Sequence, residues 1–247
     1  MGWSTVRLSR IILVGHRWLG LLLAVQVVLW MSSGVIMSWF PIERVRGETA
    51  AAIEAPVQLN ATRFFPPGGV IAELQGVTDV RLRTWLGKPV YVVTGANGRA
   101  LFDADTGARM SPLPEALARK AAEADFRGEG DLGRMTLMNN PPPEFRGKTP
   151  VWRAEFTDAD KTRLYISPET GEVLARRNRI WRLYDFFWML HIMDYDEREN
   201  FNNPLIRVFA ATGLLFALSG LFLVAQRLLN GRFKDDLSRQ FRPPPAP

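Results

Sequence analysis

Two histidines carry most of the chemical interest of this chain, which contains no cysteine. His16 opens the run His16-Arg-Trp-Leu-Gly20, and on a helical wheel Gly20, Leu23, Val27, Trp30 and Gly34 share its face. Two glycines on a histidine's face let either a flat macrocycle or another helix lie against the backbone. An imidazole there can ligate haem iron. It can equally be an interfacial histidine beside Arg17, with the glycines serving helix packing. His191 lies within residues 180–194, an aromatic-rich segment that reads as a helix in a membrane interface. Tyr184, Phe187, Trp188 and Tyr195 fall on its face, whereas Met189 and Met193 point the other way, so this helix cannot itself supply a His–Met pair. Again the alternatives are a haem ligand and a histidine packed among aromatic rings.

Other motifs carry less. Asp103-Ala-Asp-Thr-Gly-Ala108 looks like the start of a covalent flavin-attachment motif, but Arg109, which has no hydroxyl, stands at the accepting position. Glu169-Thr-Gly171 occupies the equivalent place downstream, so a hairpin turn explains both copies. No Ser/His/Asp or Cys/His set, Gly-rich phosphate loop or His-Glu-x-x-His motif is present. Without cysteine there are no disulfides, iron–sulfur clusters, thiolate zinc sites or c-type haem attachment. Gln26, Ser32 and Ser33 are polar within an apolar run and are placed to bond another helix. Asn60-Ala-Thr62 matches the glycosylation pattern, a weak signal, and Pro243 to Pro247 read as a disordered end.

The elements that position these residues begin with two long apolar runs. Trp18 to Phe40 is 23 residues without a formal charge, enough to cross a hydrocarbon layer of roughly 30 Å. Leu205 to Leu229 is a second run of 25, with Asn203 as N-cap and Pro204 as first helical residue. Trp18, Trp39, Arg207 and Arg227 serve as interfacial anchors. Gly20 with Ala24, and Gly213 with Ala217, are small-xxx-small steps that allow the helices to pair. Arg7, Arg10 and Arg17 precede the first run; Arg227, Arg232, Lys234, Arg239 and Arg242 accompany the end of the second. Both short ends are thus basic, which places both termini in the cytoplasm of a bacterial inner-membrane protein and the 163 residues from Pro41 to Asn203 outside. The first run is longer than a signal-peptide core and lacks a good cleavage site, so it reads as a retained anchor. The net charge of +6 is explained by these ends rather than by nucleic acid.

The exterior stretch repeats itself. Gly87-Lys-Pro-Val-Tyr91 leads to Ala100-Leu-Phe-Asp-Ala-Asp-Thr-Gly107, and Gly147-Lys-Thr-Pro-Val-Trp152 leads to Arg163-Leu-Tyr-Ile-Ser-Pro-Glu-Thr-Gly-Glu-Val173. The Pro-Val pairs lie 61 residues apart and the Thr-Gly pairs 64 apart. Each copy reads as a strand (Val90 to Val93; Val151 to Phe156), a turn, a second strand and a Thr-Gly turn. Leu113 to Ala124 supplies a helix before the second copy, with Pro114 in its first turn, and a shorter piece near Val70 to Gln75 serves the first. The expected fold class is α+β: two helix-on-antiparallel-sheet repeats between two transmembrane helices.

A first helix opening His16-Arg-Trp-Leu-Gly20, repeats ending Tyr-Ile-x-Pro-x-Thr-Gly, and Leu190-His-Ile-Met-Asp-Tyr195 before the last helix together resemble the PepSY-associated transmembrane family. The resemblance covers nearly the whole chain. It implies a role in iron or siderophore handling or in membrane redox chemistry, and some larger members bind haem between several helices. On this basis residues 1–40 form the cytoplasmic start and first span, 41–176 a periplasmic tandem PepSY-like domain, and 177–203 an interfacial helix and linker. Residues 204–230 form the second span and 231–247 a basic, Pro-rich tail.

The leading expectation is a non-enzymatic accessory protein whose exterior domain binds a partner in iron uptake or periplasmic redox, with no cofactor required. The alternative is an electron-transfer subunit binding haem b through His16 and His191. Those two sit at opposite membrane faces, roughly 30 Å apart, so they cannot share one iron within a monomer. A homodimer or a partner protein must then supply the other ligand.

Overall fold

The computed structural model describes residues 3–52 and 64–229, with side chains from Arg10 onward. Arg7, Asn60-Ala-Thr62, the tail residues Arg232, Lys234, Arg239 and Arg242, and Pro243 to Pro247 lie outside the described side chains. The chain divides into two units, Trp39–Asp185 and the remainder, Met1–Ser38 with Phe186–Pro247.

In the second of these, helix α1 spans Trp3–Trp39. It begins before the uncharged run that starts at Trp18, because His16 and Arg17 do not interrupt helix formation and a charge is tolerated at the end of an apolar helix. Its apolar portion, Arg10–Trp39, is 30 residues, about 45 Å at helical rise. The last helix, labelled α6 in the order below, spans Pro204–Leu229 and starts as expected: Asn203 Oδ1 accepts the Ile206 N–H at 3.0 Å. Leu21, Leu22 and Val25 on α1, and Leu214, Leu215 and Leu221 on α6, are exposed apolar side chains, as lipid contact requires.

The other unit opens with α2 (Ile42–Val45), a 3₁₀ turn (Glu48–Ala50) and α3 (Pro67–Ile71). Strands β1 (Asp79–Trp85), β2 (Lys88–Gly95) and β3 (Gly98–Asp103) then form one antiparallel meander. Helix α4 (Glu115–Asp125) leads into a second meander of β4 (Leu132–Met138), β5 (Val151–Phe156), β6 (Arg163–Ile166) and β7 (Val173–Arg177). Helix α5, Arg179–Ile192, begins in this unit and ends in the other. Its first turn is capped by Asn178, whose Oδ1 accepts the Trp181 N–H at 2.7 Å.

The duplication extends to the pairing register. Tyr91 faces Phe102 and Trp152 faces Ile166; Val93 faces Ala100 and Ala154 faces Leu164. Each pair maps on the other by the spacings of 61 and 64 residues. The seventh strand has its counterpart in a single bridge, Phe102 to Arg109, which matches Ile166 to Val173. Even the turns share chemistry. Asp103 Oδ1 accepts the N–H groups of Asp105 and Thr106, and Ser167 Oγ accepts those of Glu169 and Thr170.

One face of the first sheet (Tyr91, Val93, Ala100, Phe102) packs with Val70 of α3. Its other face (Val90, Val92, Leu101, with Trp85) joins Ala121 and Ala122 of α4 and Ala154, Leu164 and Ile166 of the second sheet in the main core. The first sheet is therefore buried on both faces, which is why β2 reads as a continuous apolar run.

Candidate functional site

The two histidines sit in parallel constellations. His16, on α1, lies with its ring flat on Phe216 of α6, centroids 4.3 Å apart and planes 5° from parallel. Its Nδ1 is 2.8 Å from Ser219 Oγ, and that hydroxyl donates to the carbonyl of Phe216 at 2.7 Å. Glycines make the approach possible: a Cβ on Gly20 would stand 3.0 Å from the Phe216 ring, and one on Gly220 3.1 Å from His16 Cε1. Gly20 thus serves close packing of the two helices rather than an open bed for a ligand.

His191, near the end of α5, meets α1 in the same manner. Its Nδ1 is 2.8 Å from Oγ of Ser33, a fully buried residue, and that hydroxyl donates to the Trp30 carbonyl at 3.0 Å. Trp30 Nε1 donates to the His191 carbonyl at 2.8 Å, fixing the backbone as well as the ring. Asn203 Nδ2 donates to the next carbonyl, of Ile192, at 2.8 Å, and Met193 follows with a positive φ of 54° that ends the helix. Beside His191 runs an open apolar groove of about 630 Å³, lined by Trp30, Met31, Gly34, Ser38, Ile206 and Ala210 among others. A Cβ on Gly34 would meet nothing within 4 Å, so the groove floor is bare over that residue.

Of the three polar residues expected to bond another helix, Ser33 does so. Ser32 donates to carbonyls of its own helix, at Val28 and Leu29. Gln26 is 7% exposed and its Nε2 has no hydrogen-bond partner. The sequence points to both histidines but not to Ser219, Phe216 or Met31. Polar residues on opposing apolar helices do seek one another, and that signal could have paired Ser219 with His16.

The Trp39–Asp185 unit carries two further features. A trough of about 890 Å³ runs between the ends of β1 and β7 over α4, lined by Arg83, Trp85, Ala121, Ala124, Val173 and Arg176 among others. Arg83 Nη2 donates to the Thr170 carbonyl at 2.7 Å and Trp85 Nε1 to that of Gly171 at 3.0 Å, so the first repeat grips the Thr-Gly turn of the second. On the far face of the second sheet, Glu144 accepts hydrogen bonds from Tyr165 at 2.6 Å and from Arg163 and Arg182 at 3.0 Å each. Burial pushes the Glu144 carboxyl up, but the Tyr165 and Arg163 hydrogen bonds and the Arg182 charge together hold it below its ordinary value.

No curated protein and no solved structure matches the chain. The PepSY-associated TM region matches residues 13–243, from just before His16 to beyond α6. Two helices among the described residues are long and apolar enough to cross a membrane, and two antiparallel sheets lie between them in the chain; these belong to that match, and the chain is a membrane protein of the PepSY-associated TM family.

Proposed function

We propose that the chain is an inner-membrane accessory subunit that binds haem at His191 for electron transfer; at His16 the packing of Phe216 and Gly220 against the ring supports a helix contact instead. The observation that carries this reading is the groove beside His191: apolar, open over Gly34, and lined by a histidine whose Nδ1 is already engaged by Ser33. That arrangement leaves Nε2 as the nitrogen available to iron. A large flat apolar group fits such a surface, with Gly34 and Ala210 allowing it close to the backbone. Bound haem supplies one-electron chemistry; this chain's residues orient the imidazole, shield one side of the site with Trp30 and provide the apolar bed.

The separation of the histidines limits the ligand sets. His191 meets α1 at Ser33, 17 residues from His16, or about 25 Å along the helix. A bis-histidine iron therefore takes its second imidazole from another chain. Met31 lies on the same groove as His191, so a His–Met pair within one chain is the other set. A reduced-minus-oxidised absorption spectrum of protein purified from haem-replete cells tests the reading. Haem bands that His191→Ala removes support it; a wild-type preparation without haem overturns it.

A second reading concerns the soluble unit, inferred to lie in the periplasm because both chain ends are basic. The trough over α4 offers a partner protein an apolar floor with Arg83 and Arg176 at its sides, in an iron-uptake or redox assembly. A photo-crosslinker at position 174, on the trough, captures that partner in intact cells; crosslinks confined to position 137, on the opposite edge strand, move the docking surface there.

A further inference from the structure

We infer that Ser33 and Ser219 are positioning residues that hold the proton of each histidine on Nδ1 and so present each Nε2 as a lone pair. The inference rests on the haem reading for its purpose, and its test separates the two.

A serine hydroxyl has one hydrogen and two acceptor sites. Ser33 gives its hydrogen to the Trp30 carbonyl at 3.0 Å, and Ser219 gives its own to the Phe216 carbonyl at 2.7 Å. Each is the three-residue back-bond common for serine within a helix. Each Oγ is then an acceptor toward the imidazole, and a ring nitrogen 2.8 Å away must be the donor. Both histidines are therefore assigned as Nδ1–H, and a neutral ring with its proton there keeps the lone pair on Nε2. A neutral histidine in water favours the opposite tautomer, so the serines work against the intrinsic preference. A ligating histidine elsewhere has its second nitrogen fixed in this way by a carboxylate or carbonyl; in an apolar helix pair an uncharged hydroxyl does so without placing a charge in hydrocarbon.

The two locks also cross between elements. Ser33 of α1 holds a histidine of α5, and Ser219 of α6 holds a histidine of α1. Each ring reaches this tautomer only when the helices are associated. Ligand binding at His191 and helix association are thereby linked, and each favours the other. The His16 ring has in addition one face covered by Phe216, which fixes its plane, whereas Nδ1 of His191 is held by Ser33 and its backbone by Trp30.

The test uses the full chain with ¹⁵N-labelled histidines, purified in detergent from a host unable to make haem, at about pH 8, where an ordinary imidazole is neutral. Nitrogen spectra should show Nδ1 protonated and Nε2 unprotonated in both rings. Ser33→Ala should move His191 toward the Nε2–H form while leaving His16 unchanged, and Ser33→Thr, which keeps the hydroxyl, should restore the wild-type signature. Ser219→Ala should do the converse. Titration with haemin then reads the consequence, with Ser33→Ala binding roughly 10- to 100-fold more weakly than wild type. A wild-type spectrum with the proton on Nε2 overturns the inference, as does one that Ser33→Ala leaves unchanged, whatever haemin does. If the spectra behave as expected and haemin fails to bind wild type, the haem reading falls and the tautomer lock stands.

Discussion

Tyr165 is fully buried and spends its hydroxyl proton on Glu144, while Arg163 and Arg182 close on the same carboxylate. A hydrogen bond to a charged group contributes about 1.5–3 kcal/mol, so Tyr165→Phe should lower stability by that amount, read as a drop in thermal midpoint by tryptophan fluorescence in detergent. The pH dependence follows from the sign of the shift. The folded-state acidity of Glu144 lies below its ordinary 4.5, so its contribution is fully present above that value and is lost as pH falls through the folded one. Glu144→Gln should therefore flatten the stability profile below pH 4.5 relative to wild type. None of this cluster was legible in the sequence, because Glu144 sits in a Pro-rich loop and meets Arg163 and Tyr165 of β6 and Arg182 of α5 only in the folded chain. The histidines were legible because only two exist and each adjoins an apolar run; their serine partners lie 203 and 158 residues away in sequence.

At the scale of elements, the two Thr-Gly turns show how far repetition carries. Gly107 and Gly171 have φ of 73° and 71°, so both copies need a residue without a Cβ at the same place. Space makes the same demand at both: a Cβ would stand 2.6 Å from the Phe65 ring at Gly107 and 2.5 Å from the Trp85 ring at Gly171. Gly171→Ala should cost upwards of about 2 kcal/mol, combining left-handed strain with displacement of a buried indole. A thermal midpoint unchanged from wild type would show that the first repeat does not grip the second there. The spacing of the Pro-Val and Thr-Gly pairs exposed the duplication, yet the opening strands of both meanders were missed. In β4 a register shift between Leu132 and Arg134 breaks the alternation. In β1 the arginines at 81 and 83 mask a valine–leucine face. The first-copy helix was expected near Val70 to Gln75 and lies earlier, at Pro67–Ile71, because Pro67 starts it and two glycines keep it to little more than one turn.

Over the whole molecule, the expectation of cytoplasmic ends is tested by reporter fusions: alkaline phosphatase after residue 100 should be active in cells and after residue 235 inactive. The reverse pattern would put the Trp39–Asp185 unit in the cytoplasm and remove the periplasmic partner from consideration. Haem coordination is the sharper question at this scale, because it couples the chemistry of one site to the number of chains. His16 and His191 are separated by about 25 Å of helix, so if haem binds, one chain can offer it a single imidazole. If the second ligand is an imidazole from another copy, the spectrum should be that of a six-coordinate, low-spin haem only while the protein is oligomeric. Dilution into a dissociating detergent should then turn it five-coordinate and high-spin, with the change tracking the loss of dimer in light scattering. If Met31 is the second ligand, dilution should leave the spectrum alone and Met31→Ala should convert it. A low-spin spectrum that survives both treatments would mean that neither ligand set holds the iron, and would direct the search to a third side chain on the His191 groove.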